Sequence, residues 1–364
     1  MNEPFREYLS VEHPNSRPQK PNSIGTSITI AKGRSDGCES MQVSVVVPTF
    51  NRRDLVLRAV SRLLLQNFPA AEFEIIVVVD GSTDGTADAL RLLAPTSRLR
   101  VIEQENRGPS AARNAGFRAA EAELLIFLDD DMLGDPELLA AHVAAHMEVR
   151  RMVAFGALFL SADTPPSLAA ECFRREIGAF HLEREQRSGA EWRITDCVFS
   201  NASLSRALFE EAGGFDETFR MREDLELGTR LFGLGVRPEY VADAITYQYY
   251  EKTSGRLIRD AEAFAVGDVM FARKHPQVVI EGQLNWLAQQ PLWKRHAQRL
   301  AASVPSVTDL FLAPICGFSE ALIRVPAFCS LGVRALQWRR RVHWLHKVLE
   351  LDAQAFRTTS AKTR

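Results

Sequence analysis

Between residues 43 and 160, short apolar runs alternate with stretches of helical periodicity. Val43–Val47, Phe73–Val79 and Leu124–Leu128 are almost wholly apolar, and Leu99–Glu103 reads as a further, shorter strand. Such runs read as strands covered on both faces, as in a parallel sheet flanked by helices. Between them, Leu55, Ala59, Leu63 and Leu64 share one helical face, and a second helix is predicted over 86–93. Arg107-Gly108-Pro109-Ser110 opens a third helix, with Pro suited to its first turn, and Pro136 opens a fourth that runs to about Arg150. Four strands alternating with helices predict a doubly wound α/β sheet. Further on, 152–160 predicts another strand and 168–187 a helix. Leu227, Leu231 and Leu234 mark a helix that Gly235 stops; 241–249 predicts a late strand and 253–275 a further helix.

The two ends of the chain differ from this middle. Residues 1–40 are rich in Pro, Ser, Asn, Gly and charge, which predicts a disordered tail, and Met41 stands directly before the first strand as an alternative start. Near the other end, Leu331, Ala335, Trp338, Val342, Leu345 and Leu349 recur by four and three, making one face of a helix. The boundaries that follow are a tail over 1–40, a domain over 41–275 divided near residue 150, and a helical extension over 276–364.

Composition narrows the chemistry. A net charge of −2 over 364 residues argues against a nucleic-acid partner. The five cysteines are dispersed, without a C-x-x-C pair, so neither a zinc site nor a disulfide framework is expected and a reducing cytosol fits. The first residues lack a basic stretch followed by an apolar one, and no run reaches the roughly 20 apolar residues of a membrane span. Segment 284–350 is nevertheless cationic, with nine Lys/Arg against three Asp/Glu, and it holds four of the five tryptophans. It fits either a helical cap on the domain or a peripheral element lying on a membrane surface, the latter placing the protein at the inner face of the plasma membrane.

The candidate chemistry centres on Leu124-Leu125-Ile126-Phe127-Leu128-Asp129-Asp130-Asp131. Open α/β sheets bind ligands at the C-terminal ends of their strands. Adjacent carboxylates resist joint ionisation unless something positive joins them. A divalent cation holding a phosphate meets that need, because Mg²⁺ and Mn²⁺ take hard oxygen ligands. Alone, three aspartates would also suit a solvated acidic turn.

The order of the motifs decides between these. Val43–Asn51, then Val78-Val79-Asp80-Gly81-Ser82-Thr83-Asp84-Gly85-Thr86, then Asn106–Gly116, then Phe127–Asp131, closely resemble glycosyltransferase family 2. Gly213-Gly214-Phe215-Asp216-Glu217 and Glu223-Asp224-Leu225-Glu226-Leu227 resemble that family's acceptor-side motifs. The resemblance covers about 43–250. It implies a GT-A fold, a Rossmann-like mostly parallel sheet flanked by helices, here with the C-terminal helical extension added. The catalytic domain would then occupy 41–275, with its nucleotide half over 41–150 and its acceptor half over 151–275. The implied reaction is inverting transfer from a nucleotide-diphospho-sugar, in the usual case a UDP-sugar, with Mg²⁺ or Mn²⁺ as cofactor. The acceptor would be a glycan, a lipid-linked sugar or a small molecule, as in polysaccharide, glycolipid or cell-surface glycan synthesis.

Carried over by residue, the resemblance assigns Pro48, Thr49, Asn51, Arg52, Asp80, Arg113, Asp129 and Asp130 to the nucleotide sugar. It assigns Asp131, with Asp129, to the metal. Asp224 becomes the catalytic base, and Gly213, Gly214 and Glu223 lie on the acceptor side. Chemistry supports the set: a leaving diphosphate gains charge that a cation stabilises. Direct displacement also needs a carboxylate to take the acceptor's proton. Two positions depart from the family pattern. Val79 stands where relatives often carry a second acid, and Gln248 falls where they often carry a histidine. Rival readings fare worse. A nucleotidyltransferase would favour a glycine- and basic-rich loop after the first strand, and Val47-Pro48-Thr49-Phe50-Asn51 has no glycine. A non-catalytic sugar-binding protein would be expected to have lost the carboxylates.

Overall fold

The computed structural model describes residues 42–93, 98–149, 151–186, 192–278 and 290–351, so the expected tail lies outside the described residues. The apolar runs become β1 (Val43–Thr49), β2 (Phe73–Asp80), β3 (Leu99–Gln104) and β4 (Leu124–Leu128). All four are parallel, in the order β3-β2-β1-β4. Between them run α1 (Arg53–Leu64), α2 (Thr86–Leu93) and α3 (Pro109–Ala119). Val45, Val47, Ile75 and Val77 face one buried layer, and Val46, Ile76 and Val78 the other. That alternation between two cores is why these strands read as unbroken apolar runs. On the second face α3 lies close to β1: a Cβ built on Gly116 would meet Val46 Cγ1 at 2.3 Å.

Beyond β4 the sheet becomes mixed. Strands β5 (Met132–Gly134), β6 (Met152–Leu160), β7 (Asn201–Ser205) and β8 (Arg237–Gln248) complete the order β3-β2-β1-β4-β7-β6-β8-β5. β7 runs antiparallel to both β4 and β6, and β5 antiparallel to β8, whereas β6 and β8 are parallel. The periodicity does not reveal β7, because its buried polar side chains hide the pattern. Asn201 Oδ1 pairs with His142 Nε2 (2.9 Å), and Ser203 Oγ with His142 Nδ1 (2.8 Å). β8 begins at Arg237, ahead of the expected 241.

Helices α4 (Leu138–Glu148), α5 (Leu168–Gln186), α6 (Arg206–Glu211), α7 (Glu223–Gly233) and α8 (Ser254–Lys274) surround this half. Three more, α9 (Leu292–Ser303), α10 (Pro305–Ala321) and α11 (Pro326–Leu351), form the extension. α11 is integral to the fold. Trp344, Leu345 and Val348 share a core with Ala261, Ala265 and Val269 of α8, and Val333 and Leu336 share another with Leu168 of α5.

Candidate active site

Sheet register assembles the first group of residues. β1 and β4 are paired, so the chain leaves both at one edge, and Thr49 Oγ1 donates to Asp130 Oδ2 at 2.8 Å. Two residues on, Asn51 adopts a left-handed φ of 51°, which asparagine tolerates better than most residues. Its backbone N–H donates to Ser82 Oγ (2.9 Å), and its Oδ1 accepts from the Thr83 N–H (2.8 Å). Asp84 accepts from Arg53 N and from Thr86 N and Oγ1. The loops after β1 and β2 are thereby joined, and Arg52 is aimed at the aspartates. Its Nη1 donates to Asp130 Oδ1 and its Nη2 to Asp131 Oδ2 (2.8 Å).

Asp80, buried at the end of β2, serves the neighbouring loop. Its Oδ1 accepts from Gln104 Nε2 (2.7 Å) and the Arg107 N–H (2.9 Å), and its Oδ2 from the Gly108 N–H (2.8 Å). Gly108, with φ 93°, precedes α3, so this carboxylate fixes the turn that launches the helix bearing Arg113.

Arg113 ties the two halves together. Nη2 donates to Asp129 Oδ1 at 2.7 Å and Nη1 to Glu223 Oε1 at 2.9 Å, with the guanidinium 5.3 Å from the centre of the Phe215 ring. A second bridge runs through the backbone that enters β7. The Asp129 N–H donates to Ser200 O, and the adjoining Phe199 N–H donates to Asp224 Oδ2 (3.1 Å). The carboxylate after β4 and the acids opening α7 are thus held to one another by a guanidinium and a dipeptide.

Residues 44–213 of this chain match the model of glycosyl transferase family 2. This part of the chain therefore carries a family 2 domain. Among curated relatives, it is 31% identical over 274 residues to the validoxylamine A glucosyltransferase of Streptomyces hygroscopicus subsp. jinggangensis, an alignment spanning 66% of this chain and 62% of that protein. It is 25% identical over 256 residues to the probable glycosyltransferase YdaM of Bacillus subtilis, spanning 68% of this chain and 57% of that one. The chain therefore spans about three-fifths of the length of these curated relatives. The mannosyltransferase PcManGT from Pyrobaculum calidifontis, solved with GDP-Man and Mn²⁺, shares the fold, with a TM-score of 0.59, 20% identity, and coverage of 96% of this chain and 93% of that one.

Electrostatically, the site is overcharged. Asp129, Asp130, Asp131, Glu223 and Asp224 face two guanidiniums, Arg52 and Arg113. Burial, followed by the proximity of Glu223, pushes Asp224 up to about 8, against the pull of Arg113. Burial likewise lifts Asp130 to about 7, although Arg52 draws it down. Two buried oxygens, Asp131 Oδ1 and Asp224 Oδ1, have no hydrogen-bond partner. An unpartnered buried acceptor is costly, so each suggests a ligand atom or a proton.

The metal reading can be tested on these observations. Among the described residues, no three His, Cys, Asp or Glu side chains gather into a protein-only cage. Mg²⁺ and Mn²⁺ at phosphate-transfer sites are commonly held by one or two carboxylates plus substrate oxygens, and Asp131 with its bare Oδ1 fits that pattern. Gln248 stands beside it, Nε2 donating to Asp131 Oδ2 at 3.0 Å, and the Tyr249 N–H donates to the Asp131 carbonyl. Position 248 therefore supplies a neutral amide to the aspartate.

Other assigned residues have structural roles here. Gly213 (φ 80°) and Gly214 (φ 67°) form the turn after α6, where Arg230 donates to Gly214 O (2.7 Å) and Asn114 Oδ1 accepts from the Phe215 N–H (2.9 Å). Pro48 pairs with Val78 within the β1–β2 ladder. Sequence reading missed Arg222, which precedes Glu223 and Asp224 in a left-handed conformation, φ 70° and ψ 11°. It is held there by Asp268 of α8, which accepts from Arg222 Nε (2.6 Å) and Nη2 (3.2 Å), while Trp344 Nε1 of α11 donates to Asp268 Oδ2 (2.8 Å). No local pattern links positions 222, 268 and 344.

Proposed function

We propose that this chain is an inverting glycosyltransferase that moves a sugar from a nucleotide-diphospho-sugar to a hydroxyl acceptor. The observation that carries the reading is the Arg113 bridge, which joins the carboxylate following β4 to the acid beside Asp224. One guanidinium thus places a donor-side and an acceptor-side carboxylate in register. Thr49, Asn51, Arg52 and Asp80 shape the nucleotide end. Asp131, with Asp129, would hold Mg²⁺ or Mn²⁺ against the diphosphate. The bound cation supplies stabilisation of the charge that develops on the leaving group.

Asp224 is the base. Its unpartnered Oδ1 is free to accept the acceptor hydroxyl's proton, while Oδ2 is anchored on the Phe199 N–H. Glu223 and Asp129 raise its proton affinity, and Arg113 keeps the ionised form accessible. The named relative is a glucosyltransferase, and a neighbour was solved with GDP-Man, so the donors to assay first are UDP-glucose and GDP-mannose. We place the reaction in the cytoplasm, a reducing compartment in keeping with the buried cysteines Cys172, Cys316 and Cys329. The test is nucleoside diphosphate release from each donor, with Mn²⁺ or Mg²⁺ and with chelator. Release from one donor, abolished by chelator, is expected; no release from any donor in any metal would overturn the reading.

A further inference from the structure

Helix α10 is apolar on both sides. Leu312, Ile315 and Cys316 pack on the core beside α5 and α11. The opposite face carries Val307, Leu310, Phe311 and Phe318, exposed at 48%, 71%, 67% and 55%, with Pro314 between them. Their spacing places them on a single stripe. The helix's two charged residues are both engaged by its neighbours. Asp309 pairs with Arg339 (2.8 Å) and His343 (3.0 Å) of α11, and Glu320 accepts from the Leu168 N–H of α5 (3.1 Å). Helix α9 adds exposed Leu292, Trp293 and Leu300.

Exposed apolar surface of this extent marks an interaction site. The α9–α10 pair together meets the length and hydropathy of a membrane segment, yet it bends by 93° and no single described helix does so alone. Buried core helices also pass such a test; these two have their largest apolar side chains in solvent. Charge selects the partner. From 290 to 334 the chain has five Lys/Arg and two Asp/Glu, and both acids are the engaged ones. Lys294, Arg295 and Arg299 border the apolar run on one side and Arg324 on the other. A second copy would bring the same positive charge to a two-fold contact. An anionic lipid surface supplies the complement. Within the expected segment 284–350, the helix over 331–349 does not provide this surface: Trp344 is buried on Asp268, and Arg339 and Arg340 are paired with Asp309 and Glu176.

We propose that α9 and α10 are a docking face that lies in the headgroup plane of an anionic bilayer, with Trp293, Leu300, Leu310 and Phe311 immersed. The test is flotation of the full chain with vesicles of phosphatidylcholine alone and with added phosphatidylglycerol. The wild type should float with the anionic vesicles and release as salt rises. Leu310→Glu with Phe311→Glu should stay unbound while retaining the wild-type circular dichroism spectrum. Lys294→Glu with Arg324→Glu, at exposed positions, should weaken binding roughly fivefold or more per residue, and this variant keeps the test decisive if the first misfolds. Wild type that never floats, or charge-reversed protein that floats undiminished, overturns the proposal. So does a concentration-dependent dimer lost in the glutamate variant without flotation, which would assign the face to a second copy.

Discussion

Arg52 spans Asp130 and Asp131, leaving one oxygen of Asp131 bound to its guanidinium at 2.8 Å and the other buried without a partner. A cation thus already sits across the acidic cluster, on the side away from the vacant lone pairs. On the proposed function, Oδ1 is then the oxygen that Asp131 would offer to a metal ion. Asp131→Asn, which keeps the shape and removes the charge, should lower turnover by about 100-fold or more, as loss of a metal-ligating charge implies. Mn²⁺ affinity in the presence of nucleoside diphosphate, measured by titration calorimetry, should fall in parallel. Unchanged Mn²⁺ affinity would move the cation to another group.

The base assignment makes a separate demand. Asp224→Asn retains a group able to bond the Phe199 N–H but cannot take a proton. Turnover should drop by roughly 10²–10⁴ with donor affinity near wild type. If donor binding were lost in step with turnover, Asp224 would be a binding residue.

The position of Asp224 also sets a pH dependence. Burial and the neighbouring Glu223 hold its proton up to about 8. Turnover should therefore rise with pH until that proton leaves. Stability should run the other way. The folded protein keeps a proton that the unfolded chain releases near the ordinary aspartate value of about 4, so this contribution is complete below that pH and declines as pH rises through 8. Glu223→Gln removes the nearest like charge and should shift the activity limb to lower pH. A limb that stayed in place would show that Glu223 does not act on the base.

The chain from Trp344 through Asp268 to Arg222 predicts that the last helix affects catalysis at a distance. A non-glycine residue in the left-handed region costs about 1–3 kcal/mol and persists only when its surroundings hold it. Asp268→Asn should loosen the Arg222 turn and lower kcat more than it raises the donor KM. Trp344→Phe removes one buried hydrogen bond, costing about 1 kcal/mol in urea unfolding, and the smaller ring adds the cost of a cavity. Equal loss of kcat and donor affinity in Asp268→Asn would indicate general disruption.

Much of this protein was legible in the residues themselves. The runs ending at Thr49, Asp80 and Leu128 are apolar on both faces because helices cover both, and with the more polar edge strand ending at Gln104 their alternation with helices announced four parallel strands. Parallel strands place their C-terminal ends on one edge, and that alone groups Thr49, Arg52, Asp80 and the three aspartates.

Folding in three dimensions decided the rest. β7 and β5 escaped the pattern, one because its buried Asn201 and Ser203 are satisfied by His142, the other because it is a short strand that acquires meaning only against β8. The sequence places Asp129 and Glu223 in separate motifs; the Arg113 guanidinium and the 199–200 backbone join them, since long-range pairing leaves no local period. The same reason hid the role of α11. Its apolar face is plain in the spacing, but whether that face meets lipid or protein depends on what α8 presents to it, and α8 presents Ala261, Ala265 and Asp268.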